Sequence, residues 1–194
     1  MAGVDKRTLR REFLRRRKLL SRAEVDRRSA AISRHLMDLL GSLGPLRGLH
    51  CFLPIERNRE VNTWPIVKAL LEKGKVVLIS TTDFDTQSMQ HYYYDLNLEF
   101  TTDPLGIPSP INAKPATLTD CECILMPLVV ADKNGGRIGY GGGYYDRLLN
   151  GTGELLKIGL SMGPVLDKIT FLEPHDVTLD YCITPTETID CKHG

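Results

Sequence analysis

The chain has 194 residues, 42% hydrophobic and 25% charged, the make-up of a globular domain with enough apolar material for a core. No apolar run approaches the ~20 residues of a membrane helix, and the basic start lacks the apolar stretch of a secretory signal. The net charge of +1 hides an asymmetry: residues 1–28 hold eleven Lys/Arg against four Asp/Glu, a net +7, which leaves −6 for the remainder. Such a basic segment meets an anion, a nucleic acid or plain water. The five cysteines are odd in number and lack CxxC spacing. They read as reduced thiols of a cytoplasmic protein, most of them small core hydrophobes.

Residues 5–20 predict a helix with Leu9, Phe13 and Leu20 along one side. Ser21 to Glu24 has the capping-box pattern, so a second helix starts near 22, with Val25, Ile32, Leu36 and Leu39 as its apolar stripe and Gly41 as its terminator. A strand is expected over 48–54, a helix capped by Thr63 running to Leu71, and a strand over 75–80. This is a βαβ unit, which implies parallel pairing. Residues 89–96 read as a strand and 101–118 as a Pro-rich connection. A core strand at 123–132 leads to a glycine-rich stretch and a helix start at "YYDRLLN". Strands at 157–162 and 180–185 follow. The alternation predicts an α/β fold: a single domain over 1–194, a mostly parallel central sheet with helices on both faces, and residues 1–41 as a helical hairpin packed on it.

The stretch Gly135–Leu149, "GGRIGYGGGYYDRLL", packs six glycines and three tyrosines into fifteen residues. It is no P-loop, since no Lys-Ser/Thr follows, and no dinucleotide fingerprint, since Tyr144 stands where the third glycine belongs. A glycine run after a strand and before a helix still presents backbone N–H groups as an anion nest, most naturally for phosphate, where ligands bind in open α/β sheets. Arg137 adds a fixed cation. Asp146 beside a phosphate calls for a bridging cation such as Mg²⁺. The structural alternative is a tight turn, with Asp146 solvating the first turn of a helix.

The stretch resembles the signature of the 5-formyltetrahydrofolate cyclo-ligase family, also called 5,10-methenyltetrahydrofolate synthetase. The likeness continues in "KRTLR" (6–10), "EVNT" (60–63), "GKVVLIS" (74–80), Met89, "GIPSP" (106–110) and "HDVTLDYCIT" (175–184). The resemblance implies a fold like that of the sugar-phosphate isomerase and CoA-transferase group. It implies ATP- and Mg²⁺-dependent closure of 5-formyltetrahydrofolate to 5,10-methenyltetrahydrofolate, through phosphorylation of the formyl oxygen and attack by N10.

Carried onto this chain, the resemblance assigns ATP contacts to Lys6, Arg10, Arg137, Gly139, Tyr140, Gly141, Gly142, Gly143, Tyr144 and Tyr145. Folate contacts fall on Glu60, Asn62 and the Tyr140–Tyr144 segment, catalytic roles on Arg137 and Tyr144, and metal ligation on Asp146 and Asp180, with Asp176 the competing second carboxylate. The implied partners are ATP and a reduced folate, with no nucleic acid and no membrane; a monomer is expected. Asn62, Ser109 and Ala131 depart from the family pattern, and Ala131 is expected to enlarge the folate pocket.

Other residues read as structural. Arg15, Arg16, Arg17 and Lys18 are expected on a solvated helix face, Tyr93 should point opposite to Tyr92 and Tyr94, Trp64 should pack, and His175 alone makes no metal site. Two other classes stay open: a sugar-phosphate isomerase-like enzyme that needs no ATP, and a nucleic-acid binder that uses the basic N-terminal helices.

Overall fold

The computed structural model describes residues 5–103, 106–150, 152 and 155–192. Helix α1 (Lys6–Lys18) starts at Asp5, whose side chain accepts from Thr8 N. Helix α2 (Arg22–Ser42) starts at Ser21, which accepts from Glu24 N. Glu24 does not complete the capping box: its carboxylate is taken by Arg27 and Arg28. Helix α2 also passes the expected stop at Gly41; the left-handed glycine is Gly44, at φ +86°.

Strand β1 (Gly48–His50) is shorter than expected, and a 3₁₀ turn (Glu56–Asn58) follows it. Helix α3 (Trp64–Glu72) leads to β2 (Val76–Asp83), which pairs antiparallel with β3 (Ser88–Tyr93). The Pro-rich connection holds a small hairpin, β4 (Phe100–Thr102) with β5 (Pro108–Pro110), and the edge strand β6 (Pro115–Ala116). Strand β7 (Cys123–Pro127) precedes the hairpin β8 (Val130–Ala131) and β9 (Arg137–Ile138). A second 3₁₀ turn (Leu118–Asp120) precedes β7, and helix α4 (Tyr144–Leu149), β10 (Leu156–Leu160), β11 (Tyr181–Ile183) and β12 (Thr188–Asp190) complete the described elements.

Eight strands form one sheet in the order β12-β11-β10-β7-β1-β2-β3-β6. The five from β11 to β2 run parallel, as the βαβ reading requires, with antiparallel strands at both edges. Strands buried on both faces need apolar residues throughout, and "CILM" of β7 supplies them. Helices α2 and α3 cover one face, with Ile32, Leu36, Ile66 and Leu70 packed on Leu49, Val77, Leu125 and Ile158. The other face is covered by α4 and connecting segments, where Leu149, Leu128 and Leu179 meet Leu78, Ile124 and Met126.

Helix α1 lies elsewhere. Its Leu9 and Phe13 pack on Val130, Ile138 and Ile169, against the β8–β9 hairpin. The two N-terminal helices thus bury different surfaces, and α1 is delivered to the loop cluster. All five cysteines are free and buried, and burial raises each thiol pKa. Tyr93 and Tyr94 sit in opposite clusters, and Trp64 packs on Phe100 at 5.1 Å, both as expected. Among the described residues no helix is long and apolar enough to cross a membrane.

Candidate active site

A cleft of about 630 Å³ opens beyond the carboxyl ends of β1, β2 and β7, marked by Phe52, Ser80, Thr82 and Pro127. This is where the parallel topology of an open α/β sheet places ligands. Helix α1 contributes Lys6 and Arg10, and the glycine loop contributes Arg137 and Gly139 to Asp146. The segment after β1 contributes Arg57, Asn58 and Glu60, and the 173–176 loop contributes Glu173, His175 and Asp176.

The loop is shaped by glycine where a side chain would fail. Gly141 (φ +102°) and Gly143 (φ +66°) adopt conformations that L side chains rarely reach. A Cβ on Gly141 would also stand 3.3 Å from the guanidinium of Arg10. Arg10 Nε donates to Gly139 O at 2.8 Å, so α1 holds the loop directly. Arg147 Nη2 donates to Gly142 O at 2.7 Å from the other side. Helix α4 has six residues, so little of the expected macrodipole is available. The positive charge of the site comes from side chains.

Two carboxylate–cation pairs mark one end of the cleft. Arg137, 5% exposed, donates from Nη2 to Asp146 Oδ1 at 2.7 Å, and its Nε is buried without a hydrogen-bond partner. Lys6 Nζ donates to both oxygens of Asp176, at 2.8 and 2.7 Å. The pairs are joined by the chain itself, because Val177 N donates to Asp146 Oδ1 at 3.1 Å. Burial works to raise the Asp176 pKa. The Glu173 N–H and the Lys6 ammonium outweigh it and hold the carboxyl below its ordinary value. Ligand atoms of Glu173, His175 and Asp176 also lie within 4.8 Å of one another, so His175 stands with its two acidic chain neighbours rather than alone.

A second network lies at Tyr140. Arg17, expected on the solvated face, is 7% exposed and reaches inward. Its Nη2 donates to Tyr140 OH and its Nη1 to Leu128 O at 3.2 Å. Arg15 and Arg16 pair with Glu12 on the surface, as expected. Glu60 is buried and accepts from Ile55 N at 2.7 Å. Burial raises its pKa, against the pull of the Ile55 N–H, the Tyr140 hydroxyl and Arg17. Tyr140 and Tyr145 are pushed up as phenols, chiefly by burial.

Of the residues expected at the site, Lys6, Arg10, Glu60, Arg137, Gly139 to Tyr145 and Asp146 all line this one cleft. Three departures stand out. Asn62 lines a neighbouring groove instead; its Oδ1 accepts from Trp64 N at 3.2 Å and its own N–H donates to Ser29 Oγ at 2.9 Å, so it secures the start of α3. Asp180 does not line the cleft. Its carboxylate is taken by Lys157 N at 2.8 Å, Lys157 Nζ at 3.2 Å and Lys192 Nζ at 2.9 Å. Asp176 occupies the cleft position expected of Asp180. Ala131 is fully buried in the core and does not line the cleft, so it does not enlarge it directly. Sequence reasoning missed Ser80 and Thr82 of β2 and Phe84 of the turn that follows it, where two hydroxyls on an otherwise ordinary strand and one exposed ring were the available signals.

This fold and cleft define a class: an α/β protein whose glycine loop, cations and paired carboxylates suit a phosphorylated ligand. The model of the 5-formyltetrahydrofolate cyclo-ligase family matches residues 2–185, and the chain belongs to that family. A 5-formyltetrahydrofolate cyclo-ligase of Mycoplasma genitalium is 29% identical over 181 residues, covering 93% of this chain and 98% of that protein. One from Mycolicibacterium smegmatis is 33% identical over 85 residues, 42% of this chain and 43% of its own. The solved 5,10-methenyltetrahydrofolate synthetase of Aquifex aeolicus is similar with a TM-score of 0.78 at 25% identity, covering 97% of this chain and 94% of that one. That of Mycoplasma pneumoniae gives 0.70 at 25%, covering 93% and 99%.

Proposed function

We propose that the chain converts 5-formyltetrahydrofolate to 5,10-methenyltetrahydrofolate with ATP and Mg²⁺, giving ADP and phosphate. The observation that carries this reading is the pairing of Arg137 with Asp146 and of Lys6 with Asp176 around one glycine loop. Family membership supplies the substrate class.

The formyl oxygen is amide-like and a weak nucleophile. It attacks the γ-phosphorus; the new O–P bond forms as the bond to ADP breaks. N10 then attacks the formyl carbon and loses its hydrogen, and the C–O bond breaks as phosphate leaves. Positioning and charge neutralisation carry such a transfer more than proton abstraction does. Lys6, Arg10 and Arg137 are the cations for the ATP phosphates, and the backbone of Gly139 to Gly143, with Tyr144 and Tyr145, is the surface they rest on. Glu60 and the Tyr140–Tyr144 segment take the folate. Arg17 is a positioning residue that holds Tyr140.

The residues present fit Mg²⁺. Asp146 and Asp176 are two hard oxygen donors that line one cleft, Asp146 accepting from Val177 N next to Asp176 in the chain, and Mg²⁺ takes one or two carboxylates with phosphate oxygens and waters. Asp176 takes the place in this assignment that Asp180 held in the sequence reading. When bound, the ion would neutralise charge on the phosphates. Lys6 and Arg137, now engaged by those carboxylates, would then be free to turn toward phosphate oxygens.

The test is turnover of folinate by the purified chain, followed by the absorbance of the methenyl product, with ATP and Mg²⁺ each omitted in turn. Turnover only when both are present is expected.

A further inference from the structure

Under the β2–β3 wall of the cleft lie two histidines and a serine that the phosphate and metal chemistry does not use. His50 of β1 is wholly enclosed, and its Nε2 stands 3.2 Å from Ser80 Oγ of β2. Ser80 lines the cleft. His91, the β3 partner of Ser80, meets the His50 ring edge to face at 5.2 Å. The ring of Tyr145 closes on His50 from α4, at 6.5 Å. The Nδ1 atoms of both histidines are buried without a hydrogen-bond partner. Burial, with His91 acting in the same direction, pushes the His50 pKa down to about 3 and keeps the ring neutral.

A buried imidazole with an unpartnered nitrogen costs stability that an apolar side chain would not. The Ser80 hydroxyl links His50 to the cleft. A neutral imidazole nitrogen is a stronger acceptor than a hydroxyl oxygen, so the single hydrogen of Ser80 goes to Nε2. The ring hydrogen then sits on Nδ1, which is buried without a hydrogen-bond partner. With its hydrogen held, Ser80 turns only oxygen lone pairs toward the cleft. The cleft is also lined by Phe84, which meets Tyr144 of α4 perpendicularly at 6.4 Å, and by Met89 of β3. The Phe84 ring and the Met89 thioether suit a flat ring.

We propose that Ser80, fixed by His50, is a specificity-determining acceptor for an N–H on the edge of a flat nitrogen heterocycle in the cleft. The proposal rests on the cyclo-ligase reading, under which two ligands carry such an edge: the amino group of adenine and the ring N–H groups of the pterin.

The experiment compares steady-state constants of the full chain and its Ser80→Ala, Ser80→Thr and His50→Phe variants, using folinate with ATP or inosine triphosphate. Ser80→Ala is expected to raise one KM about tenfold, with kcat changed less than about twofold. Ser80→Thr, which returns the oxygen, recovers most of that loss. His50→Phe frees the hydroxyl and raises the same KM by a smaller factor; should it fail to fold, the two Ser80 variants decide. A rise confined to ATP, absent with inosine triphosphate, identifies adenine. A rise confined to folinate identifies the pterin. A wild-type chain that turns over while Ser80→Ala leaves both constants within twofold overturns the inference alone, as does a fall in kcat with both constants unmoved. A wild-type chain that neither turns over folinate nor binds ATP overturns the ligase reading and the inference with it.

Discussion

Arg137 Nη2 lies 2.7 Å from Asp146 Oδ1 across the glycine loop, with Arg137 5% exposed. The loop is therefore closed on itself by an ion pair. A buried pair is strongly destabilised when one partner is lost, because the survivor stays charged and unmatched. Asp146→Asn is expected to cost about 3 kcal/mol of stability for that reason, so loss of activity alone does not isolate a metal role. The informative readout is thermal stabilisation by ATP with and without Mg²⁺. Asp146→Asn should retain the ATP shift and lose the Mg²⁺-dependent part; an undiminished Mg²⁺-dependent part removes Asp146 from the metal.

Asp176 and Asp180 separate the two candidate second ligands. Asp176→Asn is expected to lower kcat/KM by about a hundredfold or more and to raise the Mg²⁺ concentration needed. Asp180→Asn is expected to lose about 1–3 kcal/mol of stability through Lys157 and Lys192 and to keep the Mg²⁺ requirement. A Mg²⁺ titration of both variants checks this, and the reverse pattern returns the metal to Asp180.

Arg10 acts through shape as well as charge. Its Nε is bonded to Gly139 O and its guanidinium lies against Gly141. Arg10→Ala should raise the KM for ATP by about tenfold or more and that for folinate much less. Arg10→Lys should recover little, since an ammonium does not reproduce the planar fork. A larger effect on folinate places Arg10 on the folate side.

His50 makes stability depend on pH in a defined window. An unfolded histidine titrates near 6.5, whereas the folded His50 does so near 3 because it is buried. The unfolded state therefore binds the extra proton between these values, and stability falls as pH drops through that window. At pH 5 the loss is on the order of 2 kcal/mol, and His91, also lowered by burial, acts in the same direction. Denaturant unfolding of the wild type and His50→Gln at pH 7.5 and 5 measures it. The variant should show the smaller drop.

Periodicity and glycine punctuation made the parallel core legible, because β1, α3, β2 and β7 are local patterns with strong apolar signals. The pieces that escaped are held by long-range pairing. Strand β12 and the β4–β5 hairpin are three-residue strands with little apolar content, stabilised by neighbours rather than by their own sequence. At the site, residues within the glycine stretch were identifiable because that stretch is unusual in itself. Arg17 was not, because four consecutive basic residues look alike until the helix is docked and one is turned inward to Tyr140. Asp176 and Asp180 differ by four positions, and only the folded chain shows one at the cleft and the other tied to two lysines.

The most direct measurement of the central claim is the product absorbance of purified protein given folinate, with ATP and Mg²⁺ present together or singly. The methenyl product is expected only in the complete mixture, with one ADP released per folinate consumed. Product formed without ATP, or none formed in the complete mixture by folded protein, contradicts the claim.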